Sequence, residues 1–320
     1  MKKDRRLNLA VPFLIFAVAA TAMAVFLPKS KGTEGTDSER PKIMVTVHPA
    51  YDVVRGVAGD VADTVLLMPP GSSPHTFDPT PTQVGMANGA AVAFAIGQGL
   101  DDWIESISES AGLETVTLDT GIRLLPSGPE TDGGHKEEGH DDEDEDSGHH
   151  HHGHVDPHYW LDPHNIKVMA DNAYRELAAR WPEHADRMRV NLNAYKAGID
   201  RADTQAMALL SPLQERDLVT LHDGWRYFAR AYGLNLVGSF EPSAGREPTP
   251  KYLFDLSSAV RESGVRVLYA EPQLSTTVLE PFIRDNGLTL AVLDPLGGSD
   301  GRDTLSELIT YNARTIAQNQ

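Results

Sequence analysis

Short apolar runs recur along most of the chain and fall into two groups. The first group covers residues 43–47, 64–68, 91–96 and 115–118, and the second covers residues 218–221, 234–237, 265–270 and 288–293. Each run is nearly continuous in apolar residues, as in parallel strands that helices cover on both faces. Segments that can supply the crossover helices, such as residues 50–62, 81–88 and 251–263, lie between the runs. The pattern predicts an α/β fold of two lobes, each with a parallel-type sheet.

A longer helical segment separates the two groups. Its apolar positions step by three or four residues and form one stripe: Met188, Leu192, Tyr195, Ile199, Ala202, Ala206 and Leu209. A helix of some two dozen residues is roughly 36 Å long, enough to span both lobes. We therefore predict a rigid linker helix over residues 181–211, between a first lobe at 42–180 and a second lobe at 215–320. A core helix of one domain is the alternative.

The N-terminus has the pattern of an export signal. Four basic residues precede the apolar stretch at 7–27, which contains the small-residue cleavage sequence Ala22-Met23-Ala24. We predict a signal peptide over residues 1–27, a flexible lead-in over 28–41 and a periplasmic location. Because the apolar stretch is long for a signal, an uncleaved membrane anchor is the alternative.

Residues 127–154 have no apolar periodicity and predict a mobile surface loop within the first lobe. The loop holds seven of the 13 histidines of the chain: His135, His140, His149, His150, His151, His152 and His154. These side chains are candidates for weak, multi-site metal binding that collects an ion or passes it inward. A solvated linker without function is the alternative.

The composition limits both the class of partner and the residue types that could bind a metal ion. The net charge of −18 argues against a nucleic-acid partner, although eight of the acids lie within residues 136–146 alone. The chain contains no cysteine. Histidine, aspartate and glutamate are therefore the residues left to bind a metal ion.

Several histidines and one aspartate lie where a binding cleft is expected. His48, His222 and Asp294 follow predicted strands, and ligands of open α/β sheets bind beyond the carboxyl ends of the strands. His75 lies in a Pro- and Ser-rich turn at the same edge, and His158 follows the His-rich loop.

Three imidazoles and one carboxylate suit zinc, so His75, His158, His222 and Asp294 form the candidate metal site between the lobes. Each is weak evidence alone, because a lone histidine at a strand end is often structural and an aspartate before proline often forms a turn.

Further residues have secondary roles or none. His48 is a candidate fifth ligand, and Glu271 is a candidate carboxylate behind the ligands or in reserve. His184 is expected on the surface, and the setting of His164 indicates a helix start.

Taken jointly, the motifs resemble the solute-binding proteins of zinc and manganese ABC transporters, above all the periplasmic high-affinity zinc-uptake binding proteins. The motifs are SPHTFDPTP around His75, DPHYWLDPHN around His158, LHDGWRYFARAYGL around His222, EPTPKYL from Glu247, and YAEPQLS with LDPLGG around Asp294. The resemblance implies two α/β lobes bridged by a long helix and one metal at their interface, and it supports the same four ligands. His48 departs from the family pattern.

The resemblance also implies a cargo and partners. Manganese members usually replace one histidine by a carboxylate, and His222 at that position favours Zn²⁺. The expected partners are the ion, a membrane permease and, as a further candidate, a periplasmic zinc chaperone, with the protein itself a monomer. A manganese or iron cargo, or a zinc buffer acting through the loop, is the alternative.

An enzymatic role is not expected. The chain has no HExxH pair or other hydrolytic signature, although Glu271 could serve a zinc hydrolase as a general base. Because histidine must lose its proton to bind a metal, we expect the affinity to fall below about pH 6.5.

Overall fold

The computed structural model describes residues 40–128, 155–242 and 248–320. The predicted signal peptide, nearly all of the lead-in and the histidines of the 127–154 loop lie outside these residues, and so does Glu247. None of the helices in the described ranges combines the length and hydropathy that a membrane crossing requires.

The first lobe is built on a four-stranded parallel sheet. Its strands are β1 (Lys42–Val45), β2 (Asp63–Leu66), β3 (Ala90–Ala95) and β4 (Thr115–Thr117), in the order β2-β1-β3-β4. Helices α1 (His48–Ala58), α2 (Pro81–Met86) and α3 (Ile104–Ala111) connect them.

The second lobe repeats this order. Its strands are β5 (Asp217–His222), β6 (Asn235–Glu241), β7 (Val267–Ala270) and β8 (Thr289–Val292), in the parallel order β6-β5-β7-β8. Its helices are α6 (Arg226–Tyr232), α7 (Pro250–Ser263), α8 (Glu280–Asn286) and α9 (Leu305–Asn319). The predicted fold class of two parallel-sheet lobes is confirmed, and all eight predicted runs overlap a strand.

Two helices lie between the sheets, α4 (Pro163–Arg180) and α5 (Ala185–Leu210). Helix α5 has 26 residues and is therefore about 39 Å long. It packs against α1 and α4 of the first lobe and against α6 and α9 of the second. A short 3₁₀ turn at Pro182–His184 precedes it, so the helix begins later than predicted. The exact boundaries of the lobes stay a prediction.

The apolar stripe of α5 is largely as predicted. Five of its predicted members are buried, namely Met188, Leu192, Ile199, Ala202 and Ala206. At the C-terminal end Leu210 is buried, whereas Leu209 is only partly so. Tyr195 is half-buried, and its hydroxyl group has a polar partner in α1.

That partner is Asp52, which joins three helices. Its Oδ2 atom accepts hydrogen bonds from the Tyr195 hydroxyl at 2.8 Å and from the backbone N–H of Leu305, at the start of α9, at 3.0 Å. The Tyr195 ring lies directly over Gly56 of α1, where a Cβ atom would be 2.4 Å from Cδ2 of the ring. Helices α1 and α5 can approach this closely only because position 56 has no side chain.

We predict that Gly56→Ala lowers the free energy of unfolding by about 1–3 kcal/mol, because the added methyl group displaces a ring that Asp52 holds in place. Urea unfolding followed by circular dichroism measures the change. The control is Gly85→Ala in α2, where no atom lies within 4 Å of the added Cβ. This control should leave stability unchanged or raise it by roughly 0.4–1 kcal/mol. An equal loss in both variants would contradict the packing argument.

Candidate metal centre

Three of the four predicted ligands meet between the two sheets. His75 lies in the turn after β2, His158 precedes a 3₁₀ turn at Tyr159–Leu161, and His222 is the last residue of β5. Their ligand atoms all lie within 4.8 Å of one another, and no other such group of three or more is found in the described ranges. The first lobe therefore contributes two imidazoles and the second lobe one.

The imidazoles face one another through the same ring nitrogen. The Nε2 atom of His158 is 3.4 Å from Nε2 of His75 and 3.2 Å from Nε2 of His222. His158 and His222 are buried, whereas His75 keeps an exposed edge at the mouth of the pocket. Gly224 permits this approach, because a Cβ atom there would lie 2.5 Å from Nε2 of His222.

A buried carboxylate orients His158. Asp156 accepts from the Nδ1 atom of His158 at 2.7 Å and from its backbone N–H at 2.9 Å, both through Oδ1. The sequence analysis missed Asp156, although its place two residues before His158 in VDPHYW was a usable signal. With its Nδ1 hydrogen donated to the carboxylate, neutral His158 turns the lone pair of Nε2 into the pocket.

Glu271 orients His222 in the same way. Its Oε1 atom is 2.5 Å from Nδ1 of His222 and accepts a hydrogen bond from Nε1 of Trp225 at 2.9 Å. Glu271 follows β7, the strand next to β5, so both residues lie at one edge of the second sheet. The structure thus places Glu271 behind His222, which is one of the two roles predicted for it.

The charges of the site act differently on the imidazoles. Burial lowers the pKa of His75, and the nearby His158 and His222 lower it further, so His75 is neutral at physiological pH. Burial also disfavours the charged form of His222, but the charge and hydrogen bond of Glu271 outweigh it and raise its pKa. Protonation is therefore favoured at His222 and disfavoured at His75.

Asp294 does not join this cluster in the structure. Its Oδ1 atom accepts from the backbone N–H groups of Leu296 and Gly297, both at 3.0 Å, and from Nε2 of Gln273 at 2.9 Å. Its Oδ2 atom pairs with Nε of Arg302 at 2.8 Å. Both oxygens are thus engaged away from the imidazoles, and a fourth ligand at Asp294 stays a prediction.

His48 also lies outside the cluster. It is buried at the first position of α1, and its Nδ1 atom is 3.1 Å from the backbone carbonyl oxygen of Leu296. Its ring thus contacts the segment after Asp294, and a fifth ligand at His48 stays a prediction. His164 and His184 are exposed, and His164 lies at the start of α4, where the Asp162 carboxylate accepts from its backbone N–H.

Comparison with known proteins identifies the family of the chain. The family model described as "ZnuA: Zinc-uptake complex component A periplasmic" matches residues 43–319. The zinc-binding protein AdcA of Streptococcus pyogenes serotype M1 is 28% identical over 301 residues, which are 93% of this chain and 57% of AdcA. The chain thus spans little more than half the length of that relative.

Two further proteins extend the comparison. The manganese-binding lipoprotein MntA of Halalkalibacterium halodurans is 24% identical, over 95% of this chain and 96% of MntA. A crystal structure of ZnuA superposes with a TM-score of 0.73 at 27% identity, covering 87% of this chain and 98% of ZnuA. The relatives are named as binding proteins, not as enzymes, in agreement with the absence of a hydrolytic motif. The chain therefore belongs to the family of periplasmic zinc-uptake component A proteins, the solute-binding proteins of metal ABC transporters.

Proposed function

We propose that this protein captures Zn²⁺ outside the cytoplasmic membrane and delivers it to the permease of an ABC transporter. The observation that carries the proposal is the convergence of three Nε2 atoms, with neighbouring pairs 3.4 and 3.2 Å apart. Three nitrogens that each lie 2.0–2.1 Å from a tetrahedral zinc ion are about 3.3–3.4 Å from one another. Two of the three pairs are thus already spaced for one ion, and all three ligand atoms lie within 4.8 Å of one another.

The two supporting carboxylates explain why a cation belongs there. Asp156 and Glu271 engage the Nδ1 atoms of His158 and His222, so in the neutral rings both Nε2 lone pairs point at each other. At 3.2 Å these lone pairs repel unless a proton or a metal ion lies between them. A metal ion relieves the repulsion and takes up all three nitrogens together.

The donor set favours zinc over manganese. Imidazole nitrogen suits zinc, whereas manganese prefers carboxylate and water oxygen and is the weakest binder of the divalent series. The carboxylate that would add an oxygen ligand, Asp294, is engaged by Arg302 and the backbone. The manganese-binding relative MntA nevertheless makes manganese the cargo to test against zinc.

The geometry supports binding and not catalysis. The cavity among the histidines is about 20 Å³, room for roughly one water-sized sphere beside the ligands. The Oε1 atom of Glu271, the residue that could act as a general base, is engaged by both His222 and Trp225. A hydrolase needs an open coordination position and a base that reaches it.

Export, delivery and the loop complete the proposal. The N-terminal signal pattern and the family description support a periplasmic location, where a membrane permease is the expected acceptor. The seven loop histidines would collect zinc weakly before it reaches the pocket. A periplasmic zinc chaperone as donor and a monomeric state belong to the same proposal.

We predict one tight site for Zn²⁺ and much weaker binding of Mn²⁺ in competitive titration of the mature protein. His222→Ala should weaken zinc binding at least roughly hundredfold, because it removes a ligand and leaves Glu271 buried without its partner. The control is His164→Ala, which removes an exposed histidine. Tighter binding of Mn²⁺, or equal affinities of the two variants, would contradict the proposed cargo or site.

We predict that deletion of residues 129–153 leaves the tight zinc site intact. Pro126 and Val155 pair as an antiparallel bridge, so the residues that remain can close the gap as a short turn. Titration should show the loss of weak sites alone. If tight binding disappears with the loop and is insensitive to His222→Ala, the protein is a metal buffer.

We predict that Glu271→Gln weakens zinc binding roughly tenfold to hundredfold, because the partner that orients His222 loses its charge. The control is Glu262→Gln, which neutralises an exposed acid of α7. Both variants change the net charge equally, so only a specific effect separates them. Identical zinc affinities of the two variants would show that Glu271 does not contribute to zinc binding.

A further inference from the structure

The segment that follows β8 crosses from the second lobe to the first. Two successive backbone carbonyls of this segment bond to first-lobe side chains. Nε1 of Trp160 donates to the carbonyl oxygen of Pro295 at 2.7 Å, and Nδ1 of His48 is 3.1 Å from that of Leu296. Both side chains are buried. We call residues 294–298 the strap.

The end of the strap is shaped to lie on the imidazole of His48. Gly297 and Gly298 have φ angles of 74° and 81°, in the left-handed region that favours glycine. A Cβ atom at Gly298 would lie 2.9 Å from Cδ2 of His48, and one at Gly297 would lie 3.3 Å from its Nδ1. A larger residue at Gly298 would therefore collide with His48, and one at Gly297 would collide with the backbone carbonyl of Arg302 at 2.8 Å.

Asp294 gives the strap its conformation. Its Oδ1 atom accepts from the N–H groups of Leu296 and Gly297, which bends the backbone around the carboxylate. Its Oδ2 atom pairs with Arg302, whose backbone carbonyl accepts from the N–H of Gly298. Asp294 thus fixes the backbone conformation of the strap, and His48 and Trp160 of the first lobe bind its carbonyl oxygens.

The strap also forms a wall of the metal pocket. Pro295 and Leu296 line the same cavity as the three histidines. Trp160 contacts both the strap and a clustered histidine: it donates to Pro295, and its ring centroid is 5.2 Å from that of His158. Separation of the lobes on this side therefore has to break the hydrogen bonds to the strap.

We propose that His48 is a positioning residue that latches the strap and thereby sets how slowly the metal ion leaves the closed pocket. The inference rests on the metal capture proposed above. It gives a role to His48, the buried histidine that is not among the three clustered imidazoles. His48 lies in the first lobe, is outside the group of ligand atoms, and acts on them only through the strap. Its loss therefore changes release more than coordination.

The test compares three variants of the mature protein. His48→Leu removes the donor but keeps an apolar side chain under the strap, and His48→Asn restores an amide N–H near the position of Nδ1. The control is His164→Leu, which removes an exposed histidine. Zinc release is measured by mixing loaded protein with excess chelator, and Co²⁺ absorption spectra report the ligand geometry.

We expect His48→Leu to release zinc roughly tenfold faster, because the buried carbonyl of Leu296 loses its partner. The rate of zinc association and the Co²⁺ spectrum should stay unchanged, and His48→Asn should recover most of the slow release. A change in the Co²⁺ spectrum, or release from His48→Leu as slow as in the control, would overturn the assignment.

Hydrogen exchange on the metal-free protein separates this inference from the proposed function. The amides of residues 296–298 should exchange faster in His48→Leu than in the unaltered chain and the control, with protection restored in His48→Asn. Unchanged exchange would show that His48 does not hold the strap. Failure of the unaltered chain to bind zinc would overturn the capture function. The exchange result tests independently whether His48 holds the strap.

Discussion

The mutual approach of three imidazoles is the constraint on which the rest of the structure depends. Nε2 atoms 3.2 and 3.4 Å apart bring like groups into close contact, so the two buried rings, those of His158 and His222, have to be held from behind. Asp156 and Glu271 hold two of the rings through Nδ1 and compensate positive charge in the pocket. The fold serves to bring these pairs from two lobes to one point.

The two lobes share a strand order but use the same edge differently. In the second lobe, His222 and Glu271 follow the neighbouring strands β5 and β7, at the point where the strand order reverses and ligands of such sheets bind. In the first lobe, the corresponding edge is closed by Asp101. Its carboxylate accepts from the Thr46 hydroxyl at 2.5 Å and from two backbone N–H groups.

That closure explains how the first lobe reaches the metal. Burial raises the pKa of Asp101 to about 6, although the hydrogen bonds that its carboxylate accepts act in the opposite direction. The Asp101 side chain occupies this edge of the first sheet. The first lobe therefore contributes His75 and His158 from a turn after β2 and from the segment before α4. Loops carry these two ligands, and long helix α5, packed against both lobes, keeps the loops facing His222.

The local pattern of residues was enough to predict the strands, the long helix and one of the clustered histidines. Apolar runs marked the eight strands, a three-four spacing marked α5, and strand ends marked His222, because these signals depend on near neighbours in the chain. Only the tertiary structure showed which groups Asp294 and His48 contact. Their partners, Arg302 and Leu296, lie 8 and 248 residues away, and strand-end position alone does not distinguish a ligand from a residue that folds a strap. Likewise, Asp156 and Glu271 could be assigned to particular imidazoles only after the lobes had brought those rings together, since no local pattern records which ring a distant carboxylate will meet.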